Sequence, residues 1–205
     1  MSVEHIEVLV EEPSMEAFLN LLLPRILGDT SFAVHAYRCK QELLNLLPQR
    51  LNGYKKWLPE NSRIIVIVDR DNDDCHQLKA RLEQIASNAG FSTRSASRGI
   101  TWNVVNRLAI EELESWYFGE WEAVQMAFPR VPRTVPSRAK YRDSDSIAGG
   151  TWEAFERILQ RAGYFKSGLR KIETAKAVAK HMIPERNRSH SFQVLFNTFK
   201  EFGSG

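Results

Sequence analysis

The chain has 205 residues, a formal net charge of +3, 43% hydrophobic residues and 26% charged residues; this is enough for one large domain, whereas two full domains would be cramped. No apolar run approaches the roughly 20 residues of a membrane span, and the N-terminus lacks the basic and apolar stretches of a secretory signal, so we expect a cytoplasmic protein without a membrane contact. The thiols of Cys39 and Cys75 are isolated in the sequence, which argues against a zinc site or a disulfide framework.

The first part of the sequence alternates between strand patterns and helix patterns. Residues 6–10 have the period of two that is typical of a strand, and the helical pattern that follows begins at Ser14, a suitable N-cap. A second strand is predicted at residues 32–37 and a helix at residues 41–51, which Pro48 weakens or kinks. Strands that alternate with helices indicate a mostly parallel, doubly wound sheet.

The next strand is the most apolar. Residues 63–68 form a continuous β-branched run, the pattern of a central strand that is covered on both faces. A helix is predicted at residues 75–88, with Gly90 as its C-terminal cap, then a short strand at residues 92–95 and another strand at residues 103–110. The fold class is therefore predicted to be α/β, with a mostly parallel central sheet and helices on both faces.

The composition changes after residue 128. Residues 1–128 carry 13 basic and 18 acidic side chains, a net charge of −5, whereas residues 129–205 carry 15 and 7, a net charge of +8. Residues 129–150 contain several prolines and arginines and are predicted to be a basic loop or linker between an α/β domain at residues 1–128 and a C-terminal extension at residues 151–205. That extension is predicted to be helical, packed on the same core, at residues 152–162, 172–181 and 191–202.

The clearest candidate for chemistry is the run Asp69-Arg70-Asp71-Asn72-Asp73-Asp74, directly after the apolar strand. Ligands of open parallel sheets bind outside the carboxyl ends of the strands, and four acids this close repel one another unless a cation neutralises them. If the strand persists, Asp69 and Asp71 point the same way and offer hard oxygen ligands to Mg²⁺ or Mn²⁺. The alternative is a turn or a helix-capping run, since Asp and Asn favour both.

Two further predicted strands end in carboxylates. Glu11 and Glu12 follow the first strand, and Glu16 lies in the first turn of the helix after it. A helix predicted at residues 111–118 begins with three more acids: Glu111, Glu112 and Glu114. Each acid alone could be an exposed strand end or a complement to the helix dipole, but a parallel sheet would bring all three groups to one edge.

Two of these segments resemble the motifs of Toprim domains. Val10-Glu11-Glu12-Pro13-Ser14 looks like the motif in which a catalytic Glu follows the first strand, although Toprim domains commonly have Gly at the position of Glu12. Val66-Ile67-Val68-Asp69-Arg70-Asp71 looks like the Asp-x-Asp motif. With Glu112-Leu113-Glu114-Ser115-Trp116-Tyr117 and residues 187–192, the chain is similar over most of its length to the prokaryotic family catalogued as domain of unknown function 4276. It is more distantly similar to the Toprim nucleases of phage-defence systems of the overcoming-lysogenisation-defect type.

The resemblance implies a Toprim-like fold and a metal-dependent nuclease that cleaves DNA or RNA with Mg²⁺ or Mn²⁺ as cofactor. Glu11 would be the motif Glu, as metal ligand or general acid/base, and Asp69 and Asp71 would bind metal. Glu114 would be the acid of the third strand. Weaker candidates for metal ligands are Glu16, Asp73 and Glu112.

The resemblance also implies a role in antiphage defence with an ABC-type or AAA-type ATPase partner. The sequence contains no ATP-binding phosphate loop of its own, so a partner would have to bind any ATP that is used. Two alternatives remain open. One is a noncatalytic Toprim-fold subunit that regulates or binds within an ATPase complex, and the other is a different Mg²⁺-dependent phosphoryl-transfer enzyme. A homo-oligomer is compatible with each.

The basic C-terminal part offers contacts to nucleic acid. Lysine and arginine side chains attract phosphate groups without reading sequence, although a solvated helix surface explains them nearly as well. Lys176 and Lys180 are one helical turn apart and share a face. The predicted nucleic-acid contacts are Arg138, Lys140, Arg170, Lys171, Lys176, Lys180, Arg186 and Arg188.

Overall fold

The architecture is that of a computed structural model, in which residues 3–97 and 101–203 are described. Within these residues, parallel strands form a four-stranded sheet in the order β2-β1-β3-β4. The apolar strand β3 is central, and all its residues except Arg63 are buried. The strands are β1 (His5–Val10), β2 (Ser31–Ala36), β3 (Ser62–Asp69) and β4 (Val104–Ala109).

Helices cover both faces of the sheet, which confirms the predicted fold class.

The helices are of two kinds. Short 3-10 helices lie at Val135–Ser137, Ala139–Tyr141 and Pro184–Arg186. The α-helices of the described residues are α1 (Pro13–Leu22), α2 (Pro24–Leu27), α3 (Lys40–Trp57), α4 (Cys75–Asn88), α5 (Glu114–Gly119), α6 (Trp121–Ala127), α7 (Thr151–Arg161), α8 (Lys171–Ala179) and α9 (His190–Gly203).

Alternating strand residues divide the core into two clusters. Leu9 and Val66 pack with α3 and α4 on one face, whereas Val8 and Ile65 pack with α1 and the C-terminal helices on the other. Residues 129–150 belong to this second cluster, because Val131, Val135 and Ile147 are buried in it. The C-terminal helices therefore share the larger part of the core with β1 and α1.

Two predicted boundaries at the helices need correction. Helix α1 begins at Pro13, so the prediction of Ser14 as N-cap is wrong; proline is favoured at the first helical position because its missing N–H would have no partner there. Ser14 instead donates its hydroxyl to the Glu12 carboxylate. Helix α3 runs through Pro48 to Trp57, beyond the predicted end.

The short strand predicted at residues 92–95 does not form. Thr93 makes one isolated parallel bridge to Val104. The chain then turns, since the backbone N–H groups of Ala96 and Ser97 both donate to the Thr93 carbonyl. Gly90 has the left-handed φ of 78° expected of a residue that ends a helix.

No helix of the described residues is both long enough and apolar enough to cross a bilayer.

Glu7 is a buried acid in the middle of β1, on the face that α3 covers. One carboxylate oxygen accepts hydrogen bonds from the hydroxyl of Tyr54 (2.7 Å) and from Nε2 of His35 (2.6 Å), and the other lies 3.0 Å from Nε2 of His5. Burial raises the pKa of Glu7, but these hydrogen bonds outweigh burial, and the pKa lies below its ordinary value of 4.5. The ionised carboxylate therefore ties β1 to β2 and α3.

We expect Glu7→Gln to lower the free energy of unfolding by about 1.5–3 kcal/mol at neutral pH, the value of hydrogen bonds to a charged group. A carboxylate whose pKa is lowered by folding stabilises fully above its unfolded pKa and less as the pH falls through its folded pKa. The difference between variant and wild type should therefore shrink below pH 4.5. Urea unfolding across this range tests it, with Glu4→Gln, an exposed acid beside the same strand, as control. A difference that does not change with pH would show that the carboxylate charge is not what stabilises this contact.

Candidate active site at the carboxyl ends of the strands

The sheet brings Glu11 and Asp69 together. In the parallel register, Val10 of β1 lies beside Ile67 of β3, so the residues after Val10 are level with the end of β3. The backbone N–H of Asp69 donates a hydrogen bond to a Glu11 carboxylate oxygen (3.1 Å). The two acids therefore share the carboxyl edge of the sheet.

Asp71 reaches the same edge by a turn and not by strand alternation. Strand β3 ends at Asp69, and Asp71 has a left-handed φ of 48°, a conformation that Asp adopts more readily than most residues. The backbone N–H of Asp71 donates to the carbonyl of Glu111 (3.0 Å). Its carboxylate is close enough to raise the pKa of Glu11.

The last two acids of the run have other partners. Asp73 is exposed and lies 2.8 Å from Nζ of Lys40. Asp74 is the N-cap of α4, and its carboxylate accepts hydrogen bonds from the backbone N–H groups of His76 and Gln77. The helix-capping interpretation is therefore correct for Asp74.

The three acids after β4 differ in their surroundings, because α5 begins only at Glu114 and not at Glu111 as predicted. Glu114 is buried, with 1% of its surface exposed. Glu112 accepts hydrogen bonds from the Thr151 hydroxyl (2.8 Å) and the Trp152 backbone N–H (3.0 Å), at the start of α7. Glu111 forms an ion pair with Arg70. Glu114 is thus the member of this group whose carboxylate lies deepest in the site.

Two lysines face the acids. Nζ of Lys40, just after β2, lies 2.6 Å from the Asp71 carboxylate. Nζ of Lys171, in α8, lies 3.2 Å from the Glu12 carboxylate. The two ammonium groups therefore neutralise part of the negative charge at this edge.

The carboxylates raise one another's pKa values. Burial raises the pKa of Asp69 well above its ordinary range, and the charges of neighbouring acids, Glu11 first among them, raise it further. Burial and then Asp71 raise the pKa of Glu11 to about 7. Burial raises the pKa of Glu114 to about 8, against the opposing charge of Lys171. The two lysines therefore supply less positive charge than the ionised acids of the cluster would need.

The ligand chemistry of the cluster fits a hard divalent cation. In residues 3–97 and 101–203, no three Asp, Glu, His or Cys side chains already surround one point in the manner of a metal site. Two buried oxygens, Oδ1 of Asp69 and Oε2 of Glu114, nevertheless have no hydrogen-bond partner in that part of the chain. Carboxylate oxygens are the ligands that Mg²⁺ and Mn²⁺ prefer, so the chemistry of these two unpartnered atoms fits such an ion, whose positive charge would reduce the repulsion.

Two residues of the site were not predicted from the sequence. Lys40 is the first residue of α3, four residues after the end of β2, and this place shortly after a strand was the available signal. Tyr117 lies three residues after Glu114 and so shares a helix face with it. Its buried hydroxyl has no hydrogen-bond partner among the described residues. The nearby charge of Glu114 adds to the effect of burial in raising the pKa of Tyr117.

The remaining predicted site residues, apart from Lys171, form no side-chain hydrogen bond or ion pair with the acidic cluster in the described part of the chain. Glu16 is half-buried in the first turn of α1. Lys171, predicted as a nucleic-acid contact, lies at the acidic cluster, where it pairs with Glu12. Arg170 pairs with Glu173 (3.2 Å) and Arg186 pairs with Glu122 (2.9 Å). The predicted nucleic-acid contacts that are exposed are Arg138, Lys140, Arg170, Lys176, Lys180, Arg186 and Arg188.

Comparison with known proteins relates the chain to one family. The model of the family described as Domain of unknown function (DUF4276) matches residues 10–200. Among solved structures, the C-terminal region of the OLD protein of Xanthomonas campestris pv. campestris resembles the chain with a TM-score of 0.47 and 14% identity, over 96% of this chain and 93% of that one. A likeness of this degree bears on neither activity nor site residues. The curated proteins gave no significant match.

We expect Glu114→Gln to stabilise the metal-free protein at neutral and alkaline pH, by about 1–3 kcal/mol. A carboxyl group whose pKa is raised by folding stabilises below its unfolded pKa, and that contribution is lost as the pH rises through its folded pKa. Wild-type stability in EDTA should therefore fall between pH 4.5 and about 8, and the variant should lose less. Urea unfolding at several pH values measures this, with the exposed Glu60→Gln as matched control. Parallel curves for wild type and Glu114→Gln would contradict it.

Proposed function

The chain belongs to the family described as Domain of unknown function (DUF4276), and we propose that it is a Toprim-type, metal-dependent nuclease that hydrolyses phosphodiester bonds of DNA or RNA. One observation carries the proposal: Glu11 follows β1, Asp69 ends β3 and Glu114 begins the helix after β4. Burial raises the pKa of all three acids, and the charges of Glu11 and Glu114 both raise the pKa of the buried Asp69 further. Carboxylates whose pKa values are shifted in this way are enriched at functional sites. A bound divalent cation would offset the repulsion among these carboxylates and so explains why they lie close together.

The acids have separable roles in this proposal. Asp69 and Glu114 would hold the ion through their two buried, unpartnered oxygens, and Glu11 would be a third ligand or the general base. When bound there, Mg²⁺ or Mn²⁺ neutralises charge on the phosphate and activates water. Glu11 is suited to proton transfer near neutral pH because its pKa is about 7.

Lys171 supports the same chemistry from the C-terminal part of the chain. Burial lowers its pKa, but the charges of Glu114 and Glu12 outweigh burial, so the ammonium group stays charged. A lysine has three donors, and in the described residues Lys171 donates one hydrogen bond, to Glu12. The remaining donors are available to a phosphate oxygen at the edge of the site.

We also propose that the nuclease works with an ATPase partner in phage defence. This part of the proposal comes from the resemblance of the sequence motifs to the Toprim nucleases of such systems. Copurification of the tagged chain from its native cells tests it: an ABC-type or AAA-type ATPase should copurify, and recovery of the chain without any ATPase would contradict this part of the proposal.

Purified wild-type protein should cleave DNA or RNA with Mg²⁺ or Mn²⁺ and be inactive in EDTA. Glu11→Ala and Asp69→Ala should each lower the cleavage rate by about 10²-fold or more, because each removes a group that binds the ion or moves a proton. Gel-based cleavage of labelled DNA, RNA and transfer RNA measures the rate.

The exposed acid Glu60 provides the matched control, because Glu60→Ala removes the same charge away from the site. It should cleave at the wild-type rate, and circular dichroism should show that all variants are folded. Full metal-dependent cleavage by both Glu11→Ala and Asp69→Ala would refute the assignment of the site. Metal-dependent hydrolysis of a small phosphate ester without any cleavage of nucleic acid would favour another phosphoryl-transfer enzyme.

Lys171→Ala should lower kcat by about 10²-fold, the scale expected when a charged donor to the reacting group is lost, and Lys171→Arg should retain more activity. Lys176→Ala is the matched control, because Lys176 lies in the same helix and is exposed; its kcat should change little. Single-turnover cleavage at saturating nucleic acid separates an effect on kcat from an effect on binding. Equal losses in Lys171→Ala and Lys176→Ala would show that Lys171 has no special position.

A further inference from the structure

A second charged feature lies away from the acidic cluster. A cleft of about 340 Å³ opens between α6, the loop around Arg133 and the segment that ends at Arg188. Arg186 lines the same cleft. Separate parts of the sequence therefore bring arginines to one concave surface.

The arginines of this cleft are not fully neutralised by carboxylates. Arg186 pairs with the exposed Glu122 (2.9 Å). In residues 3–97 and 101–203, the side chains of Arg133 and Arg188 form no ion pair or hydrogen bond, although both residues are exposed. Arginine stays charged at all physiological pH values and matches the oxygen pairs of a phosphate group in its geometry. Glu120 also lines the cleft, so its lining has three arginines and two glutamates and a net positive charge of one.

Buried hydrogen bonds hold the backbone of Arg188 in place. Its own N–H donates to the carbonyl of Gly119 at the end of α5 (2.9 Å). The preceding Asn187 donates to the carbonyl of Trp116 (2.8 Å), and the following Ser189 donates to Asp145 (2.7 Å). A Cβ at Gly119 would clash with the Asn187 side chain and the Ser189 backbone, so only glycine permits this close approach.

Arg133 is held in a comparable way. Val131 and Val135, on either side of it, are buried in the core. The indole N–H of Trp121 donates to the carbonyl of Pro132 (3.0 Å). Because both arginine backbones are fixed, less conformational entropy is lost when a ligand binds them.

Helix α5 connects the cleft with the acidic cluster. Glu114 is its first residue and lies in the cluster, whereas Gly119 is its last and lines the cleft. Five residues of α-helix rise about 7.5 Å. Successive phosphates of one strand of a duplex are about 3.4 Å apart along the helix axis. All residues of α5 are buried, so this rise is the separation through the protein, and a strand on the surface would span about two nucleotides or more between the two ends.

From this arrangement we propose that the arginine cleft binds the phosphate backbone of the nucleic-acid substrate a few nucleotides from the bond that is cleaved. The inference rests on the proposed nuclease function and adds the path of the substrate. It also adds Arg133, from the loop, to the predicted contacts at Arg186 and Arg188. Phosphate contacts of this kind hold the strand without reading its sequence.

Binding of fluorescein-labelled DNA and RNA oligonucleotides to the full chain in EDTA tests the cleft without cleavage. The double variant Arg133→Ala/Arg188→Ala should bind more weakly. The slope of log affinity against log salt concentration should fall in magnitude by about 1.4–1.8, since each phosphate contact contributes about 0.7 for single strands and 0.9 for duplex DNA. A purely structural role for the arginines would not change the slope by that amount.

Lys56→Ala/Arg81→Ala is the matched control, because it removes the same charge from exposed positions on α3 and α4, across the sheet. It should keep the wild-type slope. An unchanged slope in Arg133→Ala/Arg188→Ala, or an equal change in the control, would overturn the cleft while metal-dependent cleavage by wild type still supported the nuclease. Absence of any nucleic-acid binding by the wild-type chain would also overturn the proposed role of the cleft. Loss of cleavage in Glu11→Ala, with the salt slope of the wild type, would show that the acids serve cleavage and the cleft serves binding.

Discussion

Mutual repulsion among carboxylates at the carboxyl edge of the sheet is the constraint on which the surrounding structure depends. Parallel strands necessarily end at the same edge, so acids that are distant in sequence become neighbours when each follows a strand. Glu11, Asp69 and Glu114 are placed there with much of their surface buried, and burial penalises every charge that they carry. Such an arrangement is stable only if protons, lysines or a bound cation offset the charge. In the proposed nuclease a bound cation does so in the working protein, whereas protons and lysines do so in the protein without metal.

The C-terminal part of the chain completes this edge. Helix α8 supplies Lys171, whose ammonium group contacts Glu12, and the first residues of α7 fix Glu112 through Thr151 and Trp152. The same helices bury their apolar faces in the cluster that contains α1 and one face of the sheet. Packing and electrostatics thus make the C-terminal helices part of the site, and the arginines of that region extend positive charge away from it.

The sequence predicted much of this, and the exceptions have a physical reason. The β-branched run at residues 63–68 and the alternation at residues 6–10 predict strands because burial on two faces demands those residues, and acids directly after strands follow from the topology of a parallel sheet. Lys40 and Lys171 were not recognised as partners of the acids, since pairing across the fold leaves no local periodic pattern. The sequence left open whether the strand persists to Asp71 or a turn begins there, because a pattern of alternation says nothing about where a strand ends; in the structure β3 ends at Asp69 and Asp71 has a left-handed φ. Local sequence patterns therefore predict the strands and helices, whereas contacts between residues that are distant in sequence are seen only in the folded structure.

The most direct test of the central claim is the position of a divalent ion. Crystals of the wild-type protein soaked in Mn²⁺ should show an anomalous scattering peak about 2.0–2.6 Å from carboxylate oxygens of Asp69 and Glu114, the range of distances between hard cations and oxygen ligands. The Glu11 side chain should turn toward this ion. A soak at saturating Mn²⁺ that gives no peak at this edge, with Glu11 still accepting the hydrogen bond from the backbone N–H of Asp69, would contradict the proposal that these acids form a metal-dependent active site.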